Sequence, residues 1–291
     1  MIVVRRLSLL WLIVLTACGC TPTPPPQTTL SVVGRDAQWK KHLEVGKLAD
    51  EQGKHAEAEK QFLAAVKDAE GFGDADPRLV TSLTYLGQHY YQQSNLTEAG
   101  PVFERAVGVA KQALGPSSPE LSVILNNLAA LYHKQGKFEK AEPLYRDSLA
   151  ICDKFPDRRD SNLEETLKNL ADLYVDEKKL DQAEPLYKRG LALAENASGA
   201  DDLSVAPWLG GLAEVYRKQG KYQEAEASYK RALSVEENVL GADHADVAAT
   251  LEHYAELLRA TQRAAEAAPL EARAKAIRGK LTRRVSEGGP R

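Results

Sequence analysis

The chain has 291 residues, 43% hydrophobic and 27% charged, which is enough apolar content for a large core and excludes a disordered chain. Its formal net charge is −3, with Lys and Arg interspersed among Asp and Glu, so no stripe of one sign offers a footprint for nucleic acid. One Met, five Phe and three Trp against abundant Ala, Leu, Glu and Lys predict helices in preference to strands.

The first element is a targeting segment. Arg5 and Arg6 supply a positive start, and Leu7 to Leu15 (LSLLWLIVL) a short apolar run. Nine residues are too few to span a bilayer core, which takes roughly 20 helical residues. Leu15-Thr16-Ala17-Cys18 follows and resembles the lipobox of bacterial lipoproteins, in which a small residue precedes a cysteine that is acylated and becomes the mature N-terminus. That resemblance implies a signal peptide over residues 1–17 and lipid attachment at Cys18, while a frame at Cys20 fits less well. Gly19 stands where an acidic residue would mark inner-membrane retention, so the expectation leans towards the outer membrane of a bacterial cell envelope. Residues 18–37 contain Thr21 to Pro26 (TPTPPP), which forms neither helix nor sheet and reads as a tether.

The remainder repeats. Leu83, Leu125, Leu167, Leu209 and Leu251 are each 42 residues apart, as are Tyr90, Tyr132, Tyr174 and Tyr216, and Ala99, Ala141, Ala183, Ala225 and Ala267. Leu48, Gly53 and Ala58 place a further copy, one residue shorter, ahead of these. Within one unit, Leu125, Leu128, Leu131 and Tyr132 follow the spacing of a helix face. Gly136 breaks that face, and Phe138, Ala141, Leu144, Tyr145, Leu149 and Ile151 form a second stripe. Two antiparallel helices joined by a tight turn follow, and neither can bury its stripe without a neighbouring copy. The predicted hairpins lie at about 38–72, 80–114, 120–154, 162–196, 204–240 and 246–281, with a flexible tail at 283–291.

Leu128-Ala129, Tyr132, Ala141 and Tyr145 carry the spacing of the tetratricopeptide repeat, and the chain resembles that family over residues 38–282. The 42-residue period is similar to the kinesin-light-chain subtype, with L-x-N-L-A-x-L-Y at Leu125 to Tyr132 and Leu167 to Tyr174. The resemblance implies an all-α fold: a right-handed α-solenoid of about six stacked antiparallel hairpins. Pro101, Pro143, Pro185 and Pro269 lie inside second helices, where a slight bend is expected. Gly210-Gly211 reads either as a worn repeat that weakens its helix or as room for a partner's backbone.

No spacing suggests chemistry. The six histidines are spread along the chain without a Cys or His at metal-ligand spacing, and no nucleophile motif or phosphate loop occurs. The expectation is therefore no enzyme activity, cofactor, metal or small-molecule substrate. What remains is a protein or peptide partner in the groove that the family forms from its first helices. The Asn of L-x-N-L matches at Asn127 and Asn169, with Tyr85 and His253 at the equivalent positions of other units. One and two turns further along stand Gln88, Tyr91, His133, Lys134, Asp172, Arg217, Lys218 and Arg259. The functional reading is a membrane-tethered adaptor. The alternative is a structural subunit that associates through its convex face or C-terminal helix, decided by whether Leu270, Ala274, Ile277 and Leu281 are covered.

Overall fold

The computed structural model describes residues 32–155 and 162–287. Twelve α-helices follow in order: α1 (Val32–Glu51), α2 (His55–Glu70), α3 (Pro77–Gln92), α4 (Leu96–Ala113), α5 (Pro119–Lys134), α6 (Phe138–Cys152), α7 (Asn162–Asp176), α8 (Leu180–Ser198), α9 (Ala206–Lys218), α10 (Tyr222–Leu240), α11 (Ala245–Ala260) and α12 (Ala264–Glu287). Among the described residues there is no strand. Each odd-numbered helix packs along the even-numbered helix that follows it, and each such hairpin packs on the next. The expected all-α solenoid is therefore what forms.

Two kinds of turn set this geometry. Inside each hairpin one residue adopts a left-handed backbone: Gly53, Ser94, Gly136, Lys178, Gly220 and Gln262, with φ between +58° and +77°. The amide following it bonds back to the last turn of the first helix, as in Lys54 to Ala49, Lys137 to Tyr132 and Arg263 to Leu258 at 2.7–2.8 Å. This closure ends a helix and reverses the chain. Between hairpins, Gly73, Gly115, Gly199 and Gly241 also have positive φ. A capping residue then follows, Asp76, Ser118, Asp202 or His244, whose side chain accepts a backbone N–H of the next turn.

The core is built by one contact repeated along the stack. The second helices contribute Phe62, Phe103, Tyr145, Tyr187 and Tyr229, all buried. Opposite them the first helices present small residues at one register: Gly46, Gly87, Ala129, Ala171, Ala213 and Ala255. At Gly46 and Gly87 the rings of Phe62 and Phe103 occupy the space a Cβ would need. From α3 onwards consecutive first helices touch one another, whereas no two second helices do so to a comparable extent. Closer spacing of the first helices curves the stack towards them, so they line its concave side.

Charge pairs recur at the same interval. Lys179 meets Glu142 at 3.0 Å, Lys221 meets Glu184 at 2.8 Å, and Arg263 meets Glu226, each joining one hairpin to the next. A second series links Arg105 to Glu70, Arg189 to Asp153, Arg231 to Glu195 and Arg273 to Glu237. Between hairpins two and three this second series has its signs exchanged, with Lys111 and Asp147 at the corresponding positions.

Several expectations are adjusted. α1 begins at Val32, inside the stretch read as tether, and α12 runs to Glu287, into the stretch read as tail. Pro101, Pro143, Pro185 and Pro269 lie within α4, α6, α8 and α12 without ending them. The stripe on α12 is covered: Ala274 and Ile277 are buried, and Leu270 and Leu281 pack on the same core. At the opposite end no hairpin precedes α1 among the described residues, and Val32, Val33 and Leu48 are exposed. Leu48, matched in sequence to the buried Leu131, is the clearest case of an end effect. Cys152 is half-buried, its thiol 3.6 Å from the Ser122 hydroxyl. Cys18 and Cys20 lie outside the described residues.

Two outcomes follow from the turns and the charge pairs. Lys178→Gly and Gln262→Gly should each stabilise the fold by about 1 kcal/mol by removing left-handed strain, a rise of roughly 2–4 °C in Tm by calorimetry. Hydrogen bonds from Arg263 and Lys230 hold the Glu226 carboxyl down from its ordinary 4.5 to about 2. A carboxyl depressed on folding contributes stability above its unfolded pKa and loses it as pH falls through the folded one. Urea unfolding between pH 4.5 and 2 should therefore lose stability more steeply in the wild type than in Glu226→Gln.

Candidate protein-binding groove

The 42-residue period places rows of equivalent side chains along the concave first helices. One row runs Tyr85, Asn127, Asn169, Gly211 and His253; a turn further lies Gln88, Ala130, Asp172, Glu214 and Glu256; the next is Tyr91, His133, Val175, Arg217 and Arg259. Because these helices touch across hairpins, side chains from three successive units meet.

They meet most closely where α3, α5 and α7 come together. Tyr91, Ala130, His133, Lys134, Asn169 and Asp176 surround an open depression of about 410 Å³ floored by Tyr145. The Lys134 ammonium lies 4.9 Å from the centre of the Tyr91 ring and 3.4 Å from the Ser94 hydroxyl. His133 Nε2 is 2.8 Å from the Asp176 carboxylate. Partial burial raises the pKa of the Tyr91 phenol, with the Glu165 carboxylate adding to it, so the phenol stays protonated and available as a donor. A second depression, of about 320 Å³, opens one unit earlier, with Tyr85 and Gln88 beside Lys47 and Asp50 above Phe62.

The two matched asparagines differ in state. Asn169 donates its amide to Asn126 Oδ1 at 3.1 Å, and Asn126 in turn donates to Glu165 at 3.0 Å, a bridge between α5 and α7. Asn127 Nδ2 is inaccessible and has no hydrogen-bond partner among the described residues. Asp172 accepts from Lys168 at 2.7 Å and from the Tyr187 hydroxyl. The candidates nearer the C-terminus pair locally. Arg217 forks onto Glu214 at 2.7 and 2.8 Å, with Lys218 3.4 Å from the same carboxylate. Arg259 makes a two-pronged pair with Glu271 of α12, and the exposed His253 lies 3.9 Å from Glu256. Tyr91, His133, Lys134 and Asn169 are thus brought together, Tyr85 and Gln88 share the neighbouring depression, and Arg217, Lys218, His253 and Arg259 join neither. Asp176 and Asn126 were missed from sequence. Asp176 was open to detection, since it stands 42 residues after Lys134.

The sequence profile of the tetratricopeptide repeat matches residues 78–154, 162–235 and 204–280, the greater part of the chain. The chain belongs to the tetratricopeptide repeat family. No curated protein matches it. Among solved structures, this tetratricopeptide repeat chain is similar to BtubC (BKLC) from P. vanneervenii at 21% identity and a TM-score of 0.63, covering 85% of this chain and 92% of that one. It is similar also to the kinesin light chain of Podosopora anserina with nearly identical TPR-like repeats, at 19% identity and a TM-score of 0.62, over 69% and 96% of the two chains. A tetratricopeptide repeat protein from Parabacteroides merdae gives 21% identity and a TM-score of 0.59 over 86% and 87%. These likenesses concern the fold. Tetratricopeptide repeats generally act as scaffolds for protein–protein interaction.

Two features of this repeat protein depart from expectation. Neither reading of Gly210-Gly211 accounts for Gly211, because the Tyr187 ring of the preceding hairpin occupies the place of its Cβ, whereas nothing lies within 4 Å at Gly210. Trp208 fits over Gly190 of α8 in the same way. The glycines on this interface make room for two large rings of the protein's own core. The second departure concerns the histidines, which the sequence separates: Asp50, His55 and His89 come together in the fold, their ligand atoms all within 4.8 Å of one another. In thermal melts, Gly211→Ala should cost about 1–3 kcal/mol by overpacking against Tyr187, while Gly210→Ala should gain up to about 1 kcal/mol from helix propensity.

Proposed function

We propose that the chain is a lipid-tethered adaptor of the bacterial cell envelope that holds a segment of a partner protein in the groove of its first helices. The observation that carries this is the convergence of Tyr91, His133, Lys134 and Asn169, from three successive hairpins, around one open depression. An aromatic face, a cation and amide groups within one concavity suit an extended segment, which presents a main-chain donor and acceptor at almost every residue. Tyr91 and Lys134 are of types able to anchor a side chain through apolar contact and charge. No motif in the chain assembles a catalytic group, so its proposed role is binding alone.

The tether rests on Leu15-Thr16-Ala17-Cys18 and the proline-rich residues after it. Among the described residues no helix is long and apolar enough to cross a membrane. In this reading acyl chains on Cys18 supply attachment, each buried methylene contributing about 0.8 kcal/mol, and Gly19 favours the outer membrane. The competing reading is association through the convex face or the C-terminal helix, and its second route is weakened because the apolar stripe of α12 is covered by its own core.

Intact mass and membrane fractionation of the native protein should give an acylated N-terminus at Cys18 and a membrane-bound chain, both lost in Cys18→Ser. Crosslinking should capture an envelope protein near Tyr91 and His133, and Tyr91→Ala should weaken that complex by about thirtyfold, the effect of losing a contact of about 2 kcal/mol. A soluble, unmodified and partnerless wild type would refute both the tether and the groove.

A further inference from the structure

We propose that Asp50, His55 and His89 form a binding site for a borderline divalent transition-metal ion, typically Zn²⁺, which clasps the first hairpin to the second. Asp50 lies in the last turn of α1, His55 opens α2, and His89 comes from α3. Their ligand atoms all lie within 4.8 Å of one another. Asp50 Oδ1 is the hub, 2.8 Å from His89 Nδ1 and 3.6 Å from His55 Nδ1.

Zinc bonded to imidazole and carboxylate at about 2.0–2.2 Å sets neighbouring ligands roughly 3.4 Å apart in a tetrahedron. The Asp50–His55 separation already meets that, and the Asp50–His89 contact has to open by only about half an ångström. The rigidity of the members suits the task. His89 is buried, its ring packed 5.8 Å from Phe62, so one ligand is fixed in place. His55 is half-exposed and free to adjust, and ions enter from its side. Gln93 Nε2 lies 2.8 Å from His55 Nδ1, a contact given up when the ion binds that nitrogen, and the amide oxygen or a water then completes the coordination. Two imidazoles and one carboxylate select zinc, cobalt, nickel or copper over calcium and magnesium, which take oxygen ligands.

The other histidines do not reproduce the arrangement. His42 with Asp68, His133 with Asp176, His244 with Asp246 and His253 with Glu256 are pairs, and among the described residues only this trio forms a three-member group. Its location gives the ion a structural consequence. Among the described residues nothing covers the outer face of α1, and the first hairpin packs on the second mainly through α2 against α3, so an ion shared by α1, α2 and α3 adds a tie to the stack.

The test is a titration of the full chain with Co²⁺, read by its visible d–d absorption, followed by displacement with Zn²⁺. The expected result is one Co²⁺ per chain with the intense bands of a four-coordinate site, displaced by one Zn²⁺. His55→Ala and Asp50→Asn should each weaken binding at least about tenfold, while His42→Ala leaves it unchanged. Neither of the two weakened variants removes the buried His89, so both retain its packing. Hydrogen exchange should show Zn²⁺ slowing amides of α1 and α2 in the wild type but not in His55→Ala. Absent d–d bands, cobalt–thiolate charge-transfer bands, or an affinity unaltered in His55→Ala would each overturn the proposal.

Discussion

The structure depends on a large ring from each of the first five second helices lying against a small residue of a neighbouring first helix. Phe62, Phe103, Tyr145, Tyr187 and Tyr229 bury almost completely because Gly or Ala faces them and lets the two backbones approach. Close-packed interiors tolerate little change in volume, so the ring and the small residue constrain each other. Stacking follows from the same contact, since a hairpin with one face uncovered leaves apolar surface in water. The two ends of the solenoid show the two solutions: α12 covers its stripe with its own core, whereas α1 leaves Val32, Val33 and Leu48 exposed.

The groove is a by-product of this stacking. The first helices come close enough to touch across hairpins, the stack curves towards them, and the polar positions along them converge. Tyr145 shows the coupling directly, being at once a core residue and the floor beneath Tyr91, His133 and Asn169. A change of packing in the third hairpin would therefore alter the shape presented to a partner.

Periodicity made the helices, the hairpins and the rows of groove residues legible in the sequence, because a fixed interval converts one side chain's place into that of its equivalents. What resisted was whatever departs from the interval or depends on a neighbour. Ser94, Lys178 and Gln262 occupy the left-handed turn position that Gly53, Gly136 and Gly220 advertise, and their residue types conceal it. Gly211 was assigned to wear or to a partner because Tyr187, which requires it, lies in another unit. Asp50, His55 and His89 belong to two hairpins and to no shared register, so linear spacing kept them apart. Asn127 and Asn169 match as letters, yet one amide is unpartnered and the other is engaged by Asn126, a distinction that only packing creates.

The exchanged signs at Lys111 and Asp147 bear on how such a chain finds its own order. Six hairpins with nearly the same apolar faces could stack out of sequence during folding, one unit slipping past another. If the first hairpin settled on the third, Glu70 would face Asp147; if the second settled on the fourth, Lys111 would face Arg189. Both encounters would set like charges together, whereas the native order places residues of opposite sign at these positions, so the exchange works against those two skipped arrangements. The apolar contacts hold any two hairpins together, and the exchanged signs add a preference against these two misorderings.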